Sequence, residues 1–137
     1  MSDQARQPLT GVRVVDLSQN LPGPYATFVL ASMGATVIKV EPPKDDPART
    51  MEPFFSMINQ GKQSIVLDLH SEADLAVLEE LVRGADVFVE GFRPGVTKRL
   101  GCDWETVKKW NSKLIYCSIS AFGQTGPRSS RPAHDLD

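Results

Sequence analysis

The chain has 137 residues, 41% of them hydrophobic, with a formal net charge of -2. That length fits one domain, and that composition can fill a core. The charge balance argues against the broad basic footprint of a nucleic-acid binder, and Cys102 and Cys117 form no C-x-x-C pair to support a metal site or a disulfide framework.

The opening MSDQARQP is polar and has no signal-peptide core, so residues 1–8 read as a tail. No apolar run approaches the ~18 residues of a membrane span. The sequence thus predicts a soluble, cytoplasmic protein whose structured part covers 9–137.

Residues 9–43, LTGVRVVDLSQNLPGPYATFVLASMGATVIKVEPP, read as strand, turn, helix, strand. Val12 to Leu17 is apolar and β-branched, suiting a strand buried on both faces. Pro24 suits the first helical position, where its missing N–H costs nothing. The helix over 24–33 ends at Gly34, a left-handed cap. A strand over 36–41 follows at once, which requires parallel strands joined by a crossover helix.

Residues 42–53 form a proline-rich loop, and Phe54, Phe55 and Met57 begin a short helix or packed turn that Gly61 ends. A strand is predicted over 64–69. Ser71 and Asp74 form a weak capping box for a helix whose apolar face is Leu75, Leu78, Leu81 and Val82. Further strands are predicted over 85–90 and 114–120. Between them lie the turn 91–95, a short helix to Leu100, and a helix capped by Asp103 that runs through Trp110. This alternation predicts a doubly wound, mostly parallel α/β sheet with helices on both faces. Nothing after the turn 121–127 closes the sheet. The sequence therefore predicts either a truncated chain or one completed by a partner, an ordinary disordered terminus being the simpler alternative.

In such sheets ligands sit beyond the carboxyl ends of the strands. Three loops lie there: 18–24, 91–95 and 121–127. The first carries Asn20-Leu21-Pro22-Gly23-Pro24 and lacks the G-x-G-x-x-G of a dinucleotide site. In the second, Phe92 beside a glycine turn can stack on a base and Arg99 can reach phosphate, although a packed Phe and a solvated helix face also explain it. Lys62 either pairs a phosphate or lies on the surface. His134 is a natural proton shuttle, but its neighbour Asp135 need not orient it, and His70 reads as solvated. No Ser-His-Asp arrangement, P-loop or metal cluster is present.

Four segments in order, LTGVRVVDLSQNLPGPYATFVLASMGATVIKVEPP, NQGKQSIVLDL, ADVFVEGFRPGV and LIYCSISAFGQTGP followed by RPAHD, resemble the family III CoA-transferases. That family includes formyl-CoA transferase, carnitine CoA-transferase and α-methylacyl-CoA racemase. The resemblance runs from Leu9 to Asp135. It implies a Rossmann-like large domain built from the start and the far end of a longer chain, here represented by its N-terminal part, in an interlaced homodimer. Acyl-CoA and a small carboxylate are the implied substrates, with no metal. The implied CoA contacts are Asn20 and Leu21 in the first turn, Leu67, Gly91 and Phe92 near the base, and Arg99 near the phosphates. Two departures stand out. His70 follows LDL where a basic residue is frequent, and Pro42 stands where some members have arginine, so the implied phosphate contacts are either fewer or drawn from Lys62 or Arg93.

The family's transferases use an aspartate nucleophile that lies downstream of Asp137, so the 137 residues alone are expected to be inactive. In the racemase branch a histidine in a G-H-D motif is an acid/base group, and here the motif is Ala133-His134-Asp135. The resemblance therefore implies a CoA-transferase, with racemisation through His134 and a non-catalytic CoA-binding fragment as alternatives.

Overall fold

A computed structural model of the chain describes residues 7–132. Five strands form one sheet: β1 (Arg13–Asp16), β2 (Thr36–Glu41), β3 (Gln63–Val66), β4 (Val87–Glu90) and β5 (Ile115–Ser118). The order across the sheet is β3-β2-β1-β4-β5, and every neighbouring pair is parallel. The helices are α1 (Pro22–Ser32), α2 (Phe54–Ile58), α3 (Glu72–Arg83), α4 (Val96–Arg99) and α5 (Trp104–Trp110), with a 3-10 turn over Pro47–Thr50. Among the described residues no helix is long and apolar enough to cross a membrane.

The pleat sorts side chains to two cores. On one face Val15, Leu17, Val40 and Phe88 meet Leu78 and Val82 of α3 and Val107 of α5. On the other, Val14, Val37 and Val89 pack with Ala35 and with Leu30 and Ala31 of α1. Helices thus cover both faces, as the alternation of elements predicts.

Several boundaries differ from the sequence expectation. α1 starts at Pro22, not Pro24, because Leu21 takes the cap position and Pro22 the first helical one. Gly34 sits at φ +101 and its N–H donates to Ala31 O, the left-handed stop expected there. β3 ends at Val66, three residues earlier than predicted, and β5 covers only 115–118. Both are edge strands, and each leaves an apolar side chain in the open: Val66 is 56% exposed and Ile115 64%. Asp103 does stand at the cap of α5, but its Oδ1 accepts from the Thr106 hydroxyl at 2.6 Å and no backbone N–H reaches its side chain.

Candidate functional site

Strand order reverses between β1 and β4, so the loops leaving these two neighbours diverge and open a crevice at the carboxyl end of the sheet. A cleft of about 280 Å³ occupies that end. Leu17 and Gln19 line it from the loop after β1, and Pro42 and Pro43 from the loop after β2. Residues 67–70 close it from behind β3, and Phe92, Val96 of α4 and the following Leu100 from behind β4. The walls are mostly apolar, with a few polar groups to orient a ligand, the usual chemistry of a small-molecule site.

A largely buried charge network shares Glu41 with the cleft. Asp16, Lys39, Glu41 and Asp46 are all at most 2% exposed. Lys62 Nζ lies 3.2 Å from Asp16 Oδ2 and donates to Pro24 O and Asn59 Oδ1 at 2.8 Å each. Lys39 Nζ lies 2.8 Å from Asp46 Oδ2 and donates to Ser18 O at 2.9 Å. Arg49 grips Glu41 with two bonds of 2.7 and 2.8 Å, and Ser64 donates to the same carboxylate at 2.6 Å. Three cations and three carboxylates cancel, the condition under which buried charges are tolerated. Burial raises the Glu41 carboxyl, but the bonds from Arg49 and Ser64 outweigh it and hold the group below the ordinary carboxylate value. Burial pulls Lys62 below the ordinary lysine value, against the pull of Asp16. A second hollow of about 260 Å³ lies over Lys39, Glu41, Arg49 and Lys62, whose charges are already engaged with one another and with Asp16 and Asp46.

The first turn is packed against α1 without space to spare. Ser18 donates its N–H to Asp16 Oδ1 at 2.9 Å, and its hydroxyl bonds the same oxygen. The Thr27 hydroxyl of α1 donates to Asp16 Oδ2. A Cβ on Gly23 would stand 2.1 Å from Ser18 Cβ. Gly23 therefore serves the close helix-to-turn approach that a glycine fingerprint serves elsewhere.

Across the crevice, Glu90 ends β4 with 3% exposure. Its Oε2 accepts the Phe92 N–H at 2.8 Å, and its Oε1 accepts from the Ser118 hydroxyl. These bonds set the turn that carries Phe92. Nearby, burial pushes the Cys102 thiol up to about 12, so it packs as an apolar side chain rather than a nucleophile. Among the described residues no group of His, Cys, Asp and Glu could hold a metal.

Of the residues expected to contact CoA, Leu67 and Phe92 meet in the cleft. Gly91 adjoins Phe92 and backs onto Ser18. Asn20 and Leu21 follow the lining residue Gln19 but do not line the cleft themselves, and Leu21 is 44% exposed at the start of α1. Arg99 is exposed at the end of α4 and does not line the cleft, which Val96 of α4 and the adjoining Leu100 do. Lys62 neither lies on the surface nor stands free for phosphate: it is the buried partner of Asp16, because the turn after α2 carries it inward under α1. His70 lines the cleft. His134 and Asp135 lie outside the described residues. The sequence reading missed Gln19, whose polar neighbours hide it, and the hub residues Lys39 and Asp46, which read as ordinary charges of a strand and a loop.

The model of CoA-transferase family III matches residues 9–136. The chain is 48% identical over 136 residues to acetyl-CoA:oxalate CoA-transferase of Acetobacter aceti, covering 93% of this chain and 35% of that protein. It is 41% identical over 145 residues to succinate–glutarate CoA-transferase of Agrobacterium fabrum, covering 95% and 36% respectively. A CaiB/BaiF family protein from Brucella suis superposes with a TM-score of 0.92 at 39% identity, over 96% of this chain and 38% of that one. The chain thus spans about a third of the length of these relatives. By the match along its length and by its sheet, it belongs to family III of the CoA-transferases.

Proposed function

We propose that the protein carrying this chain moves CoA from an acyl-CoA to a small carboxylic acid, and that these residues supply its acyl-CoA cleft. The observation that carries this reading is the meeting of Leu67 and Phe92 in an apolar cleft at the strand-order reversal. An aromatic ring beside a glycine turn offers a stacking platform for the adenine base. Relatives named as oxalate and succinate–glutarate CoA-transferases support short dicarboxylates as the acids.

In this reading an aspartate beyond residue 137 attacks the thioester carbonyl, forming a mixed anhydride and releasing the CoA thiolate. The thiolate then attacks the aspartyl carbonyl, giving an enzyme thioester and the free donor acid. The acceptor carboxylate reverses both steps. The role of the cleft is to hold CoA while its sulfur is detached, and an interlaced homodimer is the proposed assembly. Incubating the protein with acetyl-CoA and oxalate, or with succinyl-CoA and glutarate, is expected to yield the new thioester without accumulation of free CoA. Hydrolysis to free CoA with no new thioester would refute transfer.

The Ala133-His134-Asp135 motif supports a second reading, in which His134 exchanges the proton α to the thioester. A 2-methylacyl-CoA in deuterated water tests it. Under the racemase reading deuterium enters the α position and His134→Ala abolishes the exchange; under the transferase reading the α proton stays in place.

A further inference from the structure

The wall that Gln19 contributes to the cleft is held by residues that do not line it. Its two neighbours are both pinned. Ser18 is held by Asp16 through its N–H and by Lys39 through its carbonyl. Asn20 sits at φ +63, the left-handed region that non-glycine residues rarely occupy, and its N–H donates to Asp46 Oδ1 at 3.2 Å. Asp46 Oδ1 also accepts the Ala48 N–H at 2.9 Å, and its Oδ2 faces Lys39 Nζ at 2.8 Å. Asp46 itself belongs to the loop after β2, whose Pro42 and Pro43 form the adjoining wall. One buried carboxylate therefore ties two walls of the cleft together through one buried lysine.

We propose that Asp46, acting with Lys39, is a positioning residue for acyl-CoA: it holds the first turn against the β2 loop so that Gln19 faces the ligand. The inference rests on the acyl-CoA reading of the cleft. Its chemistry is pre-organisation. If the unpinned turn keeps the binding geometry only one-tenth of the time, the apparent Kd rises about tenfold. The acceptor carboxylate has no contact with this turn in the proposal, so its KM stays at the native value.

Asp46→Ala leaves the buried Lys39 ammonium without its carboxylate, with Ser18 O as a neutral acceptor, and is expected to be unstable as well as weak in binding. The decisive variant is therefore the double replacement Lys39→Met with Asp46→Leu, which removes both charges together and is expected to retain cooperative melting. CoA binding is read by calorimetry, and KM for acyl-CoA and acceptor by initial rates. A folded double variant whose Kd and acyl-CoA KM rise about tenfold, with acceptor KM unchanged, supports the proposal. A folded double variant that binds CoA like the unmutated protein overturns it, as does an equal rise in both KM values. An unmutated protein that binds no CoA overturns the acyl-CoA reading and this inference with it.

Discussion

Asp16→Ala is expected to lower stability by roughly 3–5 kcal/mol, the cost typical of leaving one member of a buried ion pair without its partner. Asp16 is fully buried at the end of the central strand β1 and accepts from the Ser18 N–H, the Ser18 and Thr27 hydroxyls and Lys62. Its removal leaves the Lys62 ammonium, whose side chain is 2% exposed, with only the neutral acceptors Pro24 O and Asn59 Oδ1, and frees the first turn from α1. The loss also has a pH signature. Burial already holds Lys62 below the ordinary value of 10.5, and Asp16 opposes that shift. Without Asp16 the folded state binds the Lys62 proton less tightly still, while the unfolded state binds it normally. Stability of the variant therefore rises with pH over the range below the ordinary lysine value, the direction required when the unfolded state holds more protons. Urea unfolding at neutral and at alkaline pH measures both effects. An unchanged midpoint at neutral pH would show that Asp16 is not structural.

Gly23→Ala is expected to destabilise by about 1–3 kcal/mol or more, the range for forcing an extra methyl into a packed site. Two effects oppose each other. Alanine is favoured over glycine in a helix by about 1 kcal/mol. Against that, the new Cβ would lie 2.1 Å from Ser18 Cβ and 2.3 Å from Ser18 Oγ, distances no relaxation of a rotamer alone can absorb. Either α1 backs away or the first turn does, and both movements stretch the bonds from Thr27 and Ser18 to Asp16. Gly91 provides the control: a Cβ there would meet Ser18 Cβ at 3.6 Å, ordinary contact, so Gly91→Ala is expected to keep the native midpoint. Thermal melting of the two variants side by side decides the matter. Equal midpoints would show that the Gly23 approach is not tight in solution.

The strands and helices could be read in the sequence because hydrophobic period and glycine stops report local geometry. The central strands have near-continuous apolar runs, and Gly34 marks the end of α1. Edge strands were harder. Ser64 to Leu69 looks like a long buried strand, but Leu67 onward has no neighbour on the open side and turns into the loop that lines the cleft. The place of the cleft followed from topology; Phe92 stood out as an aromatic at a glycine turn, whereas Leu67 was singled out only by the family resemblance. The charge network could not be read this way. Lys39 sits amid TVIKVE and Lys62 beside a glycine, both patterns of solvated side chains. Their partners Asp46 and Asp16 are brought to them by the chain fold, with Lys62 and Asp16 separated by 46 positions. Only three-dimensional proximity turns such a lysine from a surface charge into a buried strut.

The reversal of strand order between β1 and β4 also bears on how the molecule assembles. β1, β2 and β3 follow one another in sequence and pair in that order, so their closure loops are short. The β1–β4 seam joins distant segments: the Arg13 N–H reaches Asp86 across 73 positions, and the Asp86 N–H returns to Arg13 O. Closing a loop of that length costs about 1 kcal/mol more chain entropy than closing the shorter loops within β1–β3. The cleft straddles that seam, with Leu17 and Gln19 on one side and Phe92 on the other. It exists only while both sides of the seam are paired, so a molecule lodged there would act as a staple that favours the paired state.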